Sequence, residues 1–390
     1  AEPIPGRHPA PVTPPSPRRD ALKRYPAYDP IEYQDWSPDP EVMRSYRGLV
    51  AESEGIQRSL ERLGPAGLER LQRGLLRNRL HDIALKRWVR TGVITKAWLG
   101  CGEEAATVGA VHALADGDVV GPMIRNAAAT FERGVPLEES FRAYLATGDS
   151  VTKGRDLHFG DLAHGVVAPI SHVGDLVPVL AGFALAFQLR GESNVAITWT
   201  GEGATRTGTV HEGLSLAAAR RAPLIVVVQD NSVALGTVRS DRFRSALEGM
   251  AGGYGVPGIE CDGNHVLDVH RAVREARELC VAGEGPVVVL ARTFRLGGHA
   301  THDEAEARRL FDAELFAEWG KRDPIGCFEE FLKEEPHRIG GGAEEKLARW
   351  EEEVIAEVEA AAERSLASRQ TAPPDPEAML GDVFAGGSGS

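Results

Sequence analysis

The first residues show no periodic pattern. Residues 1–38 begin "AEPIPGRHPAPVTPPSPRRD". They are Pro-rich, lack the apolar run of a secretory signal, and read as an arm without a core of its own. From residue 39 apolar positions recur every three or four residues in "PEVMRSYRGLVAESEG" and "AGLERLQRGLLRNRLHDIALKRWVRTG". Charges lie between them, which predicts an amphipathic helical layer over 39–95. Beyond residue 96 short β-branched runs alternate with Ala-rich helical stretches. "DVVGP" reads as a strand end, and "NVAITWTG" (194–201), "PLIVVVQDN" (223–231), "GIECDG" (258–263) and "PVVVLARTF" (286–294) as short apolar runs with helical segments between them. Runs this rich in Val and Ile suit parallel strands covered on both faces. Their alternation with helices predicts right-handed crossovers and a doubly wound, mostly parallel α/β sheet over 96–303. "VPVLAGFALAFQLRG" (177–191) is apolar all round and predicts a buried helix. Residues 304–384 are again charged and helical, most clearly in "AEEKLARWEEEVIAEVEAAAERSLASR" (343–369), and 385–390 read as a flexible tail.

Composition narrows the function classes. The 390 residues are 42% hydrophobic, enough for a large core, and carry a net charge of −13. A nucleic-acid binder needs a basic face to neutralise phosphates, so that class is set aside. There is no apolar run long enough for a transmembrane helix, so no membrane role is expected. The four cysteines, Cys101, Cys261, Cys280 and Cys327, form no CxxC pair and read as thiols of a reducing compartment.

Two short patterns carry chemistry. Glu202 stands between glycines just after "NVAITWTG", and Asn231 ends "PLIVVVQDN". The interval is 231 − 202 = 29 residues, about one strand-helix-strand unit. Ligands of open parallel sheets bind beyond the carboxyl ends of the strands. Two consecutive strands would therefore bring a carboxylate and an amide oxygen to one edge. Such oxygens suit a hard cation that keeps phosphate oxygens as its other ligands. Glycines beside Glu202 permit close backbone approach, and the helix starting near Thr205–Gly208 offers free N–H groups to an anion. Either motif alone is as readily a turn.

Together they resemble the thiamine diphosphate fingerprint, Gly-Asp/Glu-Gly followed some thirty residues later by Asn. Five further blocks, in order, resemble the alpha subunit of the decarboxylating component of 2-oxo acid dehydrogenase complexes. These are "LGCGEEAATVGAVHALADGDVV", "IRNAAATFERG", "KGRDLHFGD", "YGVPGIECDGNHV" and "FRLGGHATHDE", and the resemblance spans roughly residues 75–335. It implies thiamine diphosphate and Mg²⁺ as cofactors. Glu202, Asn231 and the Val233 carbonyl would bind the metal. Arg125 and Arg295 would contact the diphosphate, and Gly201, Gly203 and Ala204 would line it. Ser171 and Val173 would sit by the aminopyrimidine. His158 and His299 would face the reacting carbon and the substrate, where imidazoles titrating near neutrality stabilise an alkoxide and move protons. The sequence departs from the family pattern at Glu202, where Asp is commoner, at Asp230, where Asn is usual, and at Ile124, where Tyr is usual.

Enzymes of this kind need a second module, and the chain after 303 is too short for another α/β domain. The resemblance therefore implies a beta subunit in an alpha2-beta2 heterotetramer. It further implies a small 2-oxo acid substrate, pyruvate or branched-chain, and transfer to a lipoyl-bearing dihydrolipoyl acyltransferase. The compartment would be the bacterial cytoplasm or the mitochondrial matrix. An acetoin-cleaving subunit and a catalytically silent scaffold of the same fold remain as alternatives. The loop at 295–304, with Gly297 and Gly298, is expected to be poorly held without ligand.

Overall fold

The computed structural model describes residues 36–231, 233–234, 237–238, 247–310 and 313–377. Most of the predicted arm and the whole of the predicted tail lie outside the described residues. Strands β1 (Val119–Gly121), β2 (Ala196–Gly201), β3 (Leu224–Asp230), β4 (Gly258–Asp262) and β5 (Val287–Arg292) form one sheet in the order β1-β2-β3-β5-β4. Every pairing in it is parallel. Strands β2, β3 and β5 contain little but apolar residues because both faces are covered, whereas the edge strand β4 is partly exposed. Ile197, Trp199, Ile225, Val227, Val287 and Val289 point to one core, and Leu224, Val226, Val228, Val288 and Leu290 to the other. This alternation is the pleat at work.

Helix α3 (Glu104–His112) and helix α7 (Val266–Val281) cover the first face, through residues such as Ala106, Ala110, Val269 and Val273. Helix α5 (Leu176–Arg190) and helix α6 (Gly208–Arg220) cover the second, through Leu180, Ala184, Val210 and Leu214. The architecture is the α/β doubly wound sheet expected, with helical extensions at both ends. One expectation fails. Helix α5 is not buried all round: Val179 is 38% and Leu189 87% exposed. One side of the helix meets the sheet and α6, and its apolar outer side has no cover among the described residues.

The N-terminal layer consists of α1 (Pro40–Glu52) and α2 (Glu54–Arg90). Asp39 caps α1, its carboxylate accepting from the Glu41 and Val42 N–H groups. Helix α2 kinks at Gly64 (φ 55°), where Pro65 restarts it. The last helix, α9 (Ala343–Thr371), lies along α2, with Arg73 paired to Glu353 and Arg77 to Glu357. Arg79 is 1% exposed and bridges Glu104 at the start of α3 and Asp323, the N-cap of α8 (Pro324–Glu334). Those two carboxylates are tolerable in the interior because one guanidinium meets both. No helix among the described residues is long and apolar enough to cross a membrane.

Candidate active site

The site begins with strand register. Gly201 of β2 lies opposite Gln229 of β3, and Asp230 of β3 lies opposite Arg292 of β5. Glu202, Asn231 and the segment leading to Arg295 therefore leave the sheet side by side at its carboxyl edge. Glu202 is 3% exposed, and its Oε1 has no hydrogen-bond partner among the described residues. Burial first, and the nearby Glu103 carboxylate after it, push the Glu202 pKa up to about 7, against the opposing pull of Arg295. Asn231 is also buried. Its Oδ1 accepts from the Val233 N–H at 3.2 Å, and its Nδ2 donates to Glu103 Oε1 at 3.1 Å. The two glycines flanking Glu202 differ in role. A Cβ on Gly203 would come 2.4 Å from the Ala234 Cβ, whereas one on Gly201 would meet nothing within 4 Å. Gly203 serves a close chain approach, and Gly201 faces open space beside the carboxylate. Ala204 follows, buried, at the turn into α6.

A second group joins the same edge. Arg125 is buried and donates from Nη1 to the Leu99 carbonyl at 2.6 Å and from Nη2 to the His299 carbonyl at 2.9 Å. Its Nη2 lies 3.4 Å from His299 Nδ1, and its Nε 3.6 Å from Glu103 Oε2. Arg295 is 2% exposed and donates to the Gly297 carbonyl at 3.1 Å. His299 does not titrate near neutrality. Burial, then the positive charges of Arg125 and Arg295, push its pKa down to about 4. It is a neutral imidazole at pH 7. The departure at Asp230 is buried, with Arg292 Nη1 at 4.0 Å.

The loop around His299 is held more closely than its glycines suggest. Thr301 N–H donates to the Ala97 carbonyl at 2.9 Å, and the Ala97 N–H donates back to Thr301 Oγ1 at 3.0 Å. Leu296 N–H donates to the Cys101 carbonyl at 3.2 Å, and Glu304 pairs with Lys86 at 3.0 Å. A Cβ on Gly298 would lie 2.2 Å from Asp303 Oδ1. The missing side chain is what lets the loop fold tightly on itself.

His158 belongs to a separate group. Its Nδ1 is 2.7 Å from Asp156 Oδ1 and its Nε2 3.3 Å from Ser171 Oγ. The Asp156 carboxylate thus orients the ring and directs Nε2 to Ser171. The segment after Ser171 reaches the first edge through Gly174 (φ 91°), where a Cβ would meet Thr207 Oγ1 at 2.6 Å and the Ala204 carbonyl at 3.5 Å. Val173 is 56% exposed. Among the described residues no cluster of three His, Cys, Asp or Glu side chains is arranged to hold a metal ion.

A family profile described as the dehydrogenase E1 component matches residues 73–374. The chain belongs to the dehydrogenase E1 component family. It is 35% identical over 254 residues to the pyruvate dehydrogenase E1 component subunit alpha of Staphylococcus aureus, and likewise to that of Staphylococcus epidermidis. Each alignment covers 65% of this chain and 65% of the relative, just under two thirds of the relatives' own length. The family match opens inside α2 and closes just past α9. The second half of α2 and the C-terminal helices thus fall within the E1 component match along with the sheet, while α1 precedes it.

Sequence reasoning missed the polar chain beneath this E1 site. Asn126 Nδ2 donates to Gln229 Oε1 at 2.8 Å, and Gln229 Nε2 donates to Glu103 Oε1 at 3.2 Å. The available signal was Glu103 and Glu104 side by side in the otherwise small and apolar "LGCGEEAATVGAVHA". Adjacent helix residues face different ways. Glu104 turns to Arg79, and Glu103 turns to Asn231.

Proposed function

We propose that the chain is the alpha subunit of a 2-oxo acid dehydrogenase E1 component. It would act on pyruvate or a branched-chain 2-oxo acid with thiamine diphosphate and Mg²⁺. The observation that carries the reading is the meeting of Glu202, Asn231, Arg125, Arg295 and His299 at one sheet edge. The residues fit the cofactor. The buried Glu202 carboxylate oxygen without a hydrogen-bond partner suits a cation ligand. The donor set of one carboxylate, one amide and the Val233 carbonyl suits Mg²⁺ that keeps diphosphate oxygens as further ligands. Open space at Gly201 admits such a group.

Bound there, thiamine diphosphate supplies the electron sink for decarboxylation. The protein supplies placement and protons. Arg125 and Arg295 balance the diphosphate charge. Gly201, Gly203 and Ala204 line it with main chain, and Ser171 and Val173 border the aminopyrimidine. His299, neutral, would offer a hydrogen bond to a substrate oxygen, and His158, oriented by Asp156, would take or give a proton at Nε2. The exposure of Val173 and of the outer side of α5 supports a second subunit that closes the site. A lipoyl-bearing dihydrolipoyl acyltransferase would be the acceptor of the acyl group.

The test is the chain purified alone and with a beta partner. Alone it should show no decarboxylation. With the partner it should turn over in a manner dependent on thiamine diphosphate and Mg²⁺. A panel of pyruvate, branched-chain 2-oxo acids, 2-oxoglutarate and acetoin, read with an artificial electron acceptor, assigns the substrate. Full turnover by the isolated chain, or none of the panel used by the complex, overturns the reading.

A further inference from the structure

Asn231 can serve a cation only if its amide is turned the right way. Rotation by 180° about the last side-chain torsion exchanges an oxygen acceptor for an NH₂ donor at almost no steric cost. What sets the orientation is the neighbour. Here that neighbour is Glu103, 1% exposed, whose Oε1 receives both Asn231 Nδ2 at 3.1 Å and Gln229 Nε2 at 3.2 Å. An ionised carboxylate accepts hydrogen bonds and donates none. Glu103 therefore admits only the NH₂ side of Asn231, and the amide oxygen is left facing Val233, whose N–H it accepts at 3.2 Å. The same carboxylate fixes Gln229, which in turn presents its own oxygen to Asn126 at 2.8 Å. On its other side Glu103 Oε2 lies 3.6 Å from Arg125 Nε.

We infer that Glu103 is a positioning residue that locks the Asn231 amide with its oxygen towards the cation, while anchoring the arginine that faces the diphosphate. The inference rests on the proposed cofactor reading. Glu103 touches neither substrate nor cofactor in this role; it acts through Asn231 and Arg125. A glutamine at 103 would carry both a donor and an acceptor, so either orientation of Asn231 would find a partner and the lock would be lost.

The experiment titrates Mg²⁺ into the alpha-beta complex with thiamine diphosphate and reads cofactor binding by calorimetry or tryptophan quenching. Glu103→Gln should raise the Mg²⁺ needed for half-maximal cofactor binding by about tenfold, the lower end for a residue that orients a metal ligand. Thermal unfolding without cofactor should be nearly unchanged. Removing a negative charge near a cation weakens binding in any case, so the decisive variant is Glu103→Gln in an Asn231→Asp background. There the two carboxylates of Glu103 and the new residue face one another, and Gln at 103 donates to it instead. If orientation is the role, Glu103→Gln costs clearly less Mg²⁺-dependent binding in that background than in the wild type, because a carboxylate at 231 presents an oxygen either way round. If it weakens binding equally in both backgrounds, charge alone acts and the inference is overturned. Glu103→Asp, which keeps an acceptor-only carboxylate, should need less Mg²⁺ than Glu103→Gln; the reverse order overturns the inference too. Wild-type complex that binds no thiamine diphosphate with Mg²⁺ overturns the cofactor reading and this inference together. Normal wild-type binding with Glu103→Gln unchanged overturns this inference alone.

Discussion

Glu202 sits where a single side chain has most to lose. It is a buried carboxylate with a free oxygen, placed by the last residue of β2. Glu202→Ala should leave the fold intact, since no hydrogen bond to Oε1 is broken, and abolish Mg²⁺-dependent cofactor binding by the complex. Unchanged affinity in a titration would remove Glu202 from the metal set. Gly298 makes the opposite case, a residue that matters through what it lacks. A methyl group there would press on Asp303 Oδ1 and on the Ala300 carbonyl, 2.5 Å away. Gly298→Ala should shift the 295–304 loop and loosen the Arg125 contact to the His299 carbonyl. Its expected signature is weaker cofactor binding, with faster hydrogen exchange confined to that loop. The wild-type loop, in turn, should gain protection when thiamine diphosphate and Mg²⁺ bind, because Arg295 and His299 gain partners. Equal protection in both states would defeat that expectation.

Helix α5 is apolar on every side, and its outer stripe runs through Val179, Gly182 and Leu189. A Cβ on Gly182 would meet nothing within 4 Å. Gly182→Arg should therefore leave the isolated chain folded, with its unfolding temperature almost unchanged, yet block assembly with a beta partner in size-exclusion chromatography. Normal assembly would show that another face carries the contact. The buried Arg79 triad links elements in a different way, by charge. Arg79→Leu leaves Glu104 and Asp323 facing each other without a cation and should cost about 3–5 kcal/mol of stability, read by chemical denaturation. A loss below about 1 kcal/mol would mean that the interior adapts by taking up a proton.

Acid response is a property of the whole fold. His270 is 3% exposed, and burial, then the nearby His112 and Arg274, push its pKa from 6.5 down to about 4. The folded protein keeps this imidazole neutral, while the unfolded chain takes up a proton below its ordinary pKa. The resulting stability is fully present above pH 6.5 and is lost as the pH falls to about 4. The full loss is on the order of 3 kcal/mol. His270→Gln should flatten the fall of unfolding free energy across this window by close to one proton's worth. A slope identical to wild type would assign the acid sensitivity to other groups.

The apolar runs located β2, β3 and β5 to within two residues, because strands covered on both faces admit almost nothing but apolar residues and Thr; the partly exposed edge strand β4 was placed by a shorter run, GIECDG. Glu202 and Asn231 were legible for the same local reason, since each follows a strand end directly. The roles of Glu103, Gln229 and Asn126 were not, because hydrogen bonds across 103 and 128 residues of chain leave no local pattern. The His299 pKa and the exposed side of α5 were also hidden. Each depends on which surfaces finally meet: two arginines beside a half-buried imidazole in one case, and no covering element among the described residues in the other. Sequence spacing reports what a residue's neighbours in the chain demand, whereas burial and long-range charge are set by packing.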